Sequence, residues 1–216
     1  FTAIANGNIA NNKAVKLDTD GKVSEIASPL GRLAGTGTSA NPVNPQPTNN
    51  GAVTIDSGFN NWTATAFNTA TGKGIAIWND DGDQKCRGFK VNTSTRAITT
   101  SGSVVTLHTG GNDGSHNTVC HITGNKFFVC YRDGGNDVLK ARIVTYDSSD
   151  GTCTISSETN TSKNGMIWGK SAVYDPDTGL VALAYRDNGD SGHGYVMMAT
   201  VTGSTPSFHT AVEFHG

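Results

Sequence analysis

One phrase recurs three times along the chain and limits what it can become. Leu180-Val181-Ala182-Leu183-Ala184-Tyr185-Arg186-Asp187 echoes Phe127-Phe128-Val129-Cys130-Tyr131-Arg132-Asp133, with a weaker copy in Gly74-Ile75-Ala76-Ile77-Trp78-Asn79-Asp80. The closing aromatic falls at 78, 131 and 185, spacings of 53 and then 54 residues. A strand wetted on one face alternates apolar and polar side chains, whereas an unbroken apolar run marks a strand covered on both faces. Each repeat is therefore expected to hold its middle strand between two layers of protein. A Gly-rich turn follows each closing Asp.

From residue 52 onward the repeats divide into units of four strand-like segments. In the first unit these are 52–56, 63–67, 74–78 and 87–91; in the second, 104–108, 118–122, 127–131 and 140–146. The third opens weakly at 156–161 and continues clearly at 170–174, 180–185 and 195–201. Asp175-Pro176-Asp177-Thr178-Gly179 and Asn68-Thr69-Ala70-Thr71-Gly72 match as turns, each opening on an Asx residue and closing on Gly. Val105-Thr106-Leu107-His108 returns as Val212-Glu213-Phe214-His215, 107 residues later, the same interval that separates Trp78 from Tyr185. The expected units are thus 52–102, 103–155 and 156–210, with 211–216 as the first strand of a fourth. On this reading either the natural polypeptide continues past Gly216 or copies complete one another.

The remainder of the chain reads differently. Residues 1–27 form an N-terminal β module, with a strand at 2–5 and a hairpin of 14–17 and 22–26 around Asp18-Thr19-Asp20-Gly21. Residues 28–51 carry Pro29, Pro42, Pro45 and Pro47 among Gly, Ser, Thr and Asn, which makes them a linker. Only 16 % of the 216 residues are charged, 27 are Gly, and helix formers never cluster at a 3.6-residue period. The net charge of −2 leaves no basic footprint for nucleic acid, and no apolar run is long enough to span a bilayer as a helix. No secretion signal opens the chain at Phe1; it is expected to be absent or already removed.

These features predict an all-β protein: a small N-terminal β-hairpin module plus β-propeller-like four-stranded blades, three repeats forming an incomplete ring. The competing three-repeat architecture is a β-trefoil, whose units are shorter. Cys86, Cys120, Cys130 and Cys153 lack metal-ligand spacing. Cys120 and Cys130 face each other across the hairpin near Asn125 or sit as small buried hydrophobes, the latter being the better expectation.

Ile4-Ala5-Asn6-Gly7-Asn8-Ile9-Ala10-Asn11-Asn12-Lys13-Ala14-Val15 with Thr19-Asp20-Gly21-Lys22-Val23 resembles the N-terminal module of virion structural proteins of tailed phages, those of cyanobacteria and other marine bacteria in particular. Tyr174-Asp175-Pro176-Asp177-Thr178-Gly179 and the Val181 to Gly189 phrase after it resemble the repeats of the same proteins. The resemblance is approximate in the first repeat, where Trp78-Asn79-Asp80 replaces Tyr-Arg-Asp. It implies a non-enzymatic virion protein, a tail fibre or capsid appendage, and no catalytic residues.

The candidate residues are accordingly structural: Trp78, Asp80, Tyr131, Arg132, Asp133, Tyr185, Arg186 and Asp187. Arg–Asp pairs at strand ends either recognise a ligand in a central channel or satisfy turn N–H groups and bridge to the next unit. Their presence in several units favours the structural role. The Asp/Gly-rich turns after Asp80, Asp133 and Asp187 lack the twelve-residue loop and closing Glu of a Ca²⁺ hand, so ordinary Asx–Gly turns are expected. Tyr146-Asp147-Ser148-Ser149-Asp150-Gly151-Thr152 approaches a sialidase Asp box without its spacer or closing aromatic, and is expected to be a hairpin turn. No cofactor or metal is called for. Expected partners are other copies of the chain and other virion proteins, with a host-surface glycan as the further partner such an appendage admits; nucleic acid and membrane insertion are not expected. The alternative function is a secreted carbohydrate-binding or sialidase-like propeller, which needs two carboxylates facing one sugar.

Overall fold

The computed structural model describes residues 15–17, 22–25, 52–58, 60–92, 95, 97–110, 116–136, 138–164 and 167–215. The chain divides into two compact units, Phe1–Thr48 and Asn49–Gly216. In the first, β1 (Val15–Leu17) and β2 (Val23–Glu25) pair antiparallel with Lys16 opposite Ser24. The strand expected at 2–5, the hairpin turn at 18–21 and the linker at 28–51 lie outside the described residues.

The second unit is built of three antiparallel sheets, with no helix among the described residues. Sheet 1 runs β3 (Asn60–Asn68), β4 (Lys73–Asp80), β5 (Asp83–Val91), β6 (Ile98–His108). Sheet 2 holds β7 (Thr118–Thr123), β8 (Lys126–Asp133) and β9 (Val138–Tyr146), and two segments, β10 (Cys153–Ile155) and β11 (Thr159–Asn164), both pair with β9. Sheet 3 repeats the plan with β12 (Ile167–Asp175), β13 (Leu180–Asp187) and β14 (His193–Thr202), β14 being flanked by β15 (Thr205–Phe208) and β16 (Val212–His215). The first strand β7 lies beside both β3 and β12, as the innermost strands of successive propeller blades do.

The sheets are cut one strand later than the sequence repeats suggested. Residues 52–56 join no ladder, and 104–108 form the end of β6, closing sheet 1 instead of opening a second unit. Likewise 212–215 pair with β14 and belong to sheet 3. The reason lies in unpaired backbone. β15 reaches only Ala199–Thr202 of β14, and the N–H and C=O groups nearer Gly194 need β16 as partner. β10 and β11 divide β9 in the same way.

Sheet 2 is the middle layer. Ile75, Ile77, Cys86 and Leu107 of sheet 1 meet Phe127, Val129, Tyr131, Val144 and Cys153 in one seam. Phe128, Cys130, Leu139 and Ile143 meet Val181, Leu183, Tyr185 and Met197 in the other. Phe127 and Phe128 are both fully buried on opposite faces of β8, each contributing about 1.5–3 kcal/mol. Double burial therefore holds for β4 and β8, but β13 alternates, with Val181, Leu183, Tyr185 and Asp187 buried and Ala182, Ala184 and Arg186 not. No other described strand of the second unit packs on the far face of sheet 3. The far face of sheet 1 is partly roofed by residues 52–58, where the Trp78 indole donates to Asp56 Oδ2 (3.2 Å) and Arg87 Nη1 to the Ile55 carbonyl (2.8 Å).

Backbone-level contacts lock the layers. Asn68 Nδ2 donates to the Gly124 carbonyl (2.7 Å) between sheets 1 and 2, and the Ala172 amide to Thr118 Oγ1 (3.0 Å) between sheets 2 and 3. All four cysteines are free and buried. Cys130 stands opposite Thr118 and Cys120 opposite Phe128, so the hairpin offsets the two thiols by two residues.

Candidate functional site

The recurring strand ends lie where the sheets meet, and the second copy is the richest. Tyr131 is fully buried; its hydroxyl donates to Glu158 Oε1 (2.6 Å) and accepts from Arg142 Nε (3.0 Å). The register that puts Lys140 opposite Tyr131 places its ammonium between two acids, 2.8 Å from Glu158 Oε2 and 2.9 Å from Asp133 Oδ2. Sheet 1 contributes His108 at the end of β6, with Nδ1 3.1 Å from Glu158 Oε1 and Nε2 3.4 Å from Asp133 Oδ1. Arg142 also donates to the Ser156 carbonyl, tying the segment between β10 and β11 to β9.

Burial works against ionising Asp133, yet hydrogen bonds from Asn136, Lys140 and the Gly135 amide outweigh it and hold the carboxyl below its usual range. Glu158 follows the same pattern: burial opposes the charge, and Lys140 and Tyr131 restore it, leaving a lowered pKa. Burial, then the contact with Glu158, pushes the Tyr131 phenol up. Lys140 is raised, since its two acid partners overcome its own desolvation. At neutral pH Asp133 and Glu158 are therefore ionised, Lys140 is protonated between them, and the Tyr131 phenol is neutral.

That state bears on chemistry. A glycosidase pair needs one carboxyl kept protonated to serve as general acid. Asp133 and Glu158 are both shifted the other way and share one ammonium, and the tyrosine between the sheets is inaccessible to a sugar. The cluster instead joins β6, β8, β9 and the β10–β11 segment across the first seam.

The other two strand ends are simpler. Trp78 bonds to Asp56, and Asp80 pairs with Lys85, directly opposite Trp78 on β5. Asp81 and Gly82 form the two-residue turn after Asp80, both at positive φ (48° and 92°), as a type I′ hairpin requires. In sheet 3, Tyr185 stacks on Tyr195 with ring centroids 5.8 Å apart, and Asp187 accepts from the Gly189 amide (2.9 Å). Arg132 is buried and Arg186 exposed. All three acids thus contact their own hairpin, as Asx–Gly turns do. The near-Asp-box at 147–152 is the β9–β10 turn, closed by Asp147 N–H to the Thr152 carbonyl (2.8 Å).

Among the described residues, Asp190, His193 and Glu213 could gather round a divalent cation, their ligand atoms lying within 4.8 Å of one another. His193 Nδ1 is 3.2 Å from Glu213 Oε1, while Asp190 Oδ2 already accepts the Tyr195 hydroxyl. These groups stand at the exposed rim of sheet 3.

Of the strand-end residues, Trp78 and Asp80 sit on sheet 1, Tyr131, Arg132 and Asp133 on sheet 2, and Tyr185, Arg186 and Asp187 on sheet 3. Sequence reasoning missed His108, Lys140, Arg142 and Glu158. The signal was present in β9, where Lys140 and Arg142 alternate with Leu139, Ala141 and Ile143 beside the Tyr-Arg-Asp strand. Comparison of the chain with protein-family models and with curated proteins finds no match.

Proposed function

We propose that the protein is a non-enzymatic structural component of a virion, a fibre, spike or capsid-surface appendage. The observation that carries the reading is the use made of the recurring polar strand ends. Trp78, Asp80, Tyr131, Asp133 and Asp187 direct their polar groups at their own turns and neighbouring strands, leaving no proton poised for transfer. The order of hairpin module, Pro-rich stretch and stacked sheets suits an anchored spacer that projects a rigid body outward. The virion assignment itself rests on the resemblance of the opening module and the third repeat. In such a particle the partners are other virion proteins.

Mass spectrometry of density-purified phage particles from a host carrying the gene tests this. Peptides of the chain at stoichiometric abundance are expected in intact particles. Their absence from particles, with the protein found free in the medium, would end the proposal. Turnover of a fluorogenic glycoside by the pure protein would replace it with the glycosidase reading.

A further inference from the structure

Among the described residues of the second unit, two faces of the three-sheet stack have no sheet against them, and they are of opposite kinds. At both internal seams the face bearing Ile75 and Ile77, or Phe128 and Cys130, receives the face bearing Val129 and Tyr131, or Leu183 and Tyr185. Sheet 3 leaves one free face of the first kind, on which Val173, Val212 and Phe214 are 62–63 % exposed. Sheet 1 leaves one of the second kind, with Phe67 and Ile98 exposed beside an apolar groove of about 220 Å³ that Val53, Ile55 and Phe89 help to line.

Residues 52–58 show what the groove is shaped for. Val53-Thr54-Ile55-Asp56 repeats Val105-Thr106-Leu107-His108 and Val212-Glu213-Phe214-His215. In sheet 1 that phrase is the end of the outermost strand, and it sets Leu107 in the seam and the His108 ring 5.9 Å from that of Tyr131. In residues 52–58 the same phrase packs Ile55 beside Trp78 and bonds Asp56 to it, although no ladder holds it. The segment therefore occupies the position of the last strand of a neighbouring sheet, without the rest of that sheet. Charge agrees, because exposed Arg186 lies on the free face of sheet 3 and Asp80 at the rim of the free face of sheet 1.

We propose that a second copy of this chain supplies the missing sheet: its sheet 3 docks on sheet 1 of the first copy, and residues 52–56 of the first copy pair with its β14 in place of β16. The exchange is favoured by the short ladder of β16, three residue pairs broken by a register shift. Contacts between unlike faces close into a ring when the rotation allows. Two copies make six sheets, inside the usual range of four to eight blades, whereas three copies exceed it. The assembly stands apart from the virion reading and holds wherever the protein resides.

Sedimentation equilibrium of the full chain at micromolar concentration is the test, with circular dichroism confirming that each variant is folded. The expected mass is twice the 22.5 kDa of one chain. Val173→Asp and Ile98→Asp, on the two opposite faces, are each expected to weaken association by about thirty-fold or more, as central interface positions do. Val212→Pro, which loosens β16, is expected to leave association intact or tighten it. A monomeric wild type overturns the proposal, as do larger open assemblies. So does dissociation by Val173→Asp with Ile98→Asp unaffected, which would mean that the face of sheet 3 pairs with its own kind. Loss of the dimer in Val212→Pro overturns the strand exchange.

Discussion

Gly88 and Gly151 face each other across the first seam so closely that a Cβ on Gly88 would stand 2.6 Å from the Gly151 carbonyl oxygen. A Cβ on Gly151 would in turn lie 2.1 Å from Cβ of Ser101, at a φ of +80°. Sheets 1 and 2 therefore meet backbone to backbone here, and any side chain wedges them apart. Gly88→Ala is expected to destabilise by about 1–3 kcal/mol through overpacking. Gly151→Ala should lose more, since the left-handed conformation adds about 1–2 kcal/mol. Gly179, at φ +72° with nothing within 4 Å, is the control: its alanine variant should show the backbone penalty alone. Urea midpoints of the three variants check the order, and a Gly88→Ala midpoint equal to wild type would refute the close approach.

The Asp133–Lys140–Glu158 cluster predicts a specific acid sensitivity. Asp133 and Glu158 have folded pKa values below their unfolded ones, so the folded state binds fewer protons than the unfolded state in the acid range. The stability they contribute is full above about pH 5 and is lost as pH falls toward 2. Asp133→Asn should be less stable than wild type at pH 7 by on the order of 2 kcal/mol, with the gap closing on acidification. Denaturant unfolding at pH 7, 5 and 3 measures it, and a gap that stays constant with pH contradicts the ionic account.

The four thiols should be silent in the native protein. Burial pushes Cys120 and Cys130 up to about 12, and the hydrogen bond with Cys153, then burial, raises Cys86 as well. The same bond favours the Cys153 thiolate, but that group is only 3 % exposed and closed to reagents. An aromatic disulfide reagent at pH 8 is expected to modify none of the four within minutes and all four in guanidinium chloride. One fast native thiol would show that a seam opens.

Much of this was legible from three apolar runs. Unbroken hydrophobicity in 74–78 and 127–131 meant two buried faces, and β4 and β8 have them. The same argument failed for 180–185 because burial on the second face depends on a neighbouring layer, which the run itself does not encode. The phase of the repeat was not legible either. A four-strand period can be cut at any of four places, and the hydrogen bonds of β6 to β5, β11 to β9 and β16 to β14 choose among them. Val53 and Ile55 alternate as a strand would, yet 52–56 has no ladder partner among the described residues. The charged cluster needed long-range register, since Glu158 and His108 come from segments 25 residues either side of Asp133.

Lys170 supplies the last prediction, of opposite sign to the acids. The residue is half-buried in β12, and desolvation pulls its ammonium down to about 8, with Cys130 opposing the shift and Arg132 adding to it. Its unfolded value lies near 10.4. Between about pH 8 and 10.4 the unfolded chain thus holds a proton that the folded one has released, and this group's contribution to stability rises with pH. Below pH 8 the buried charge is a constant penalty. Replacing it by an apolar chain of similar length, Lys170→Met, should raise stability at pH 7 by about 2 kcal/mol, and the advantage should shrink above pH 8 and vanish near pH 10.4. Parallel urea titrations of the two proteins at pH 7, 9 and 10.5 measure the difference directly, so that shifts common to both cancel. A Lys170→Met protein that is less stable at pH 7, by a margin unchanged at pH 10.5, would mean that the ammonium is held by its partners more strongly than burial opposes it.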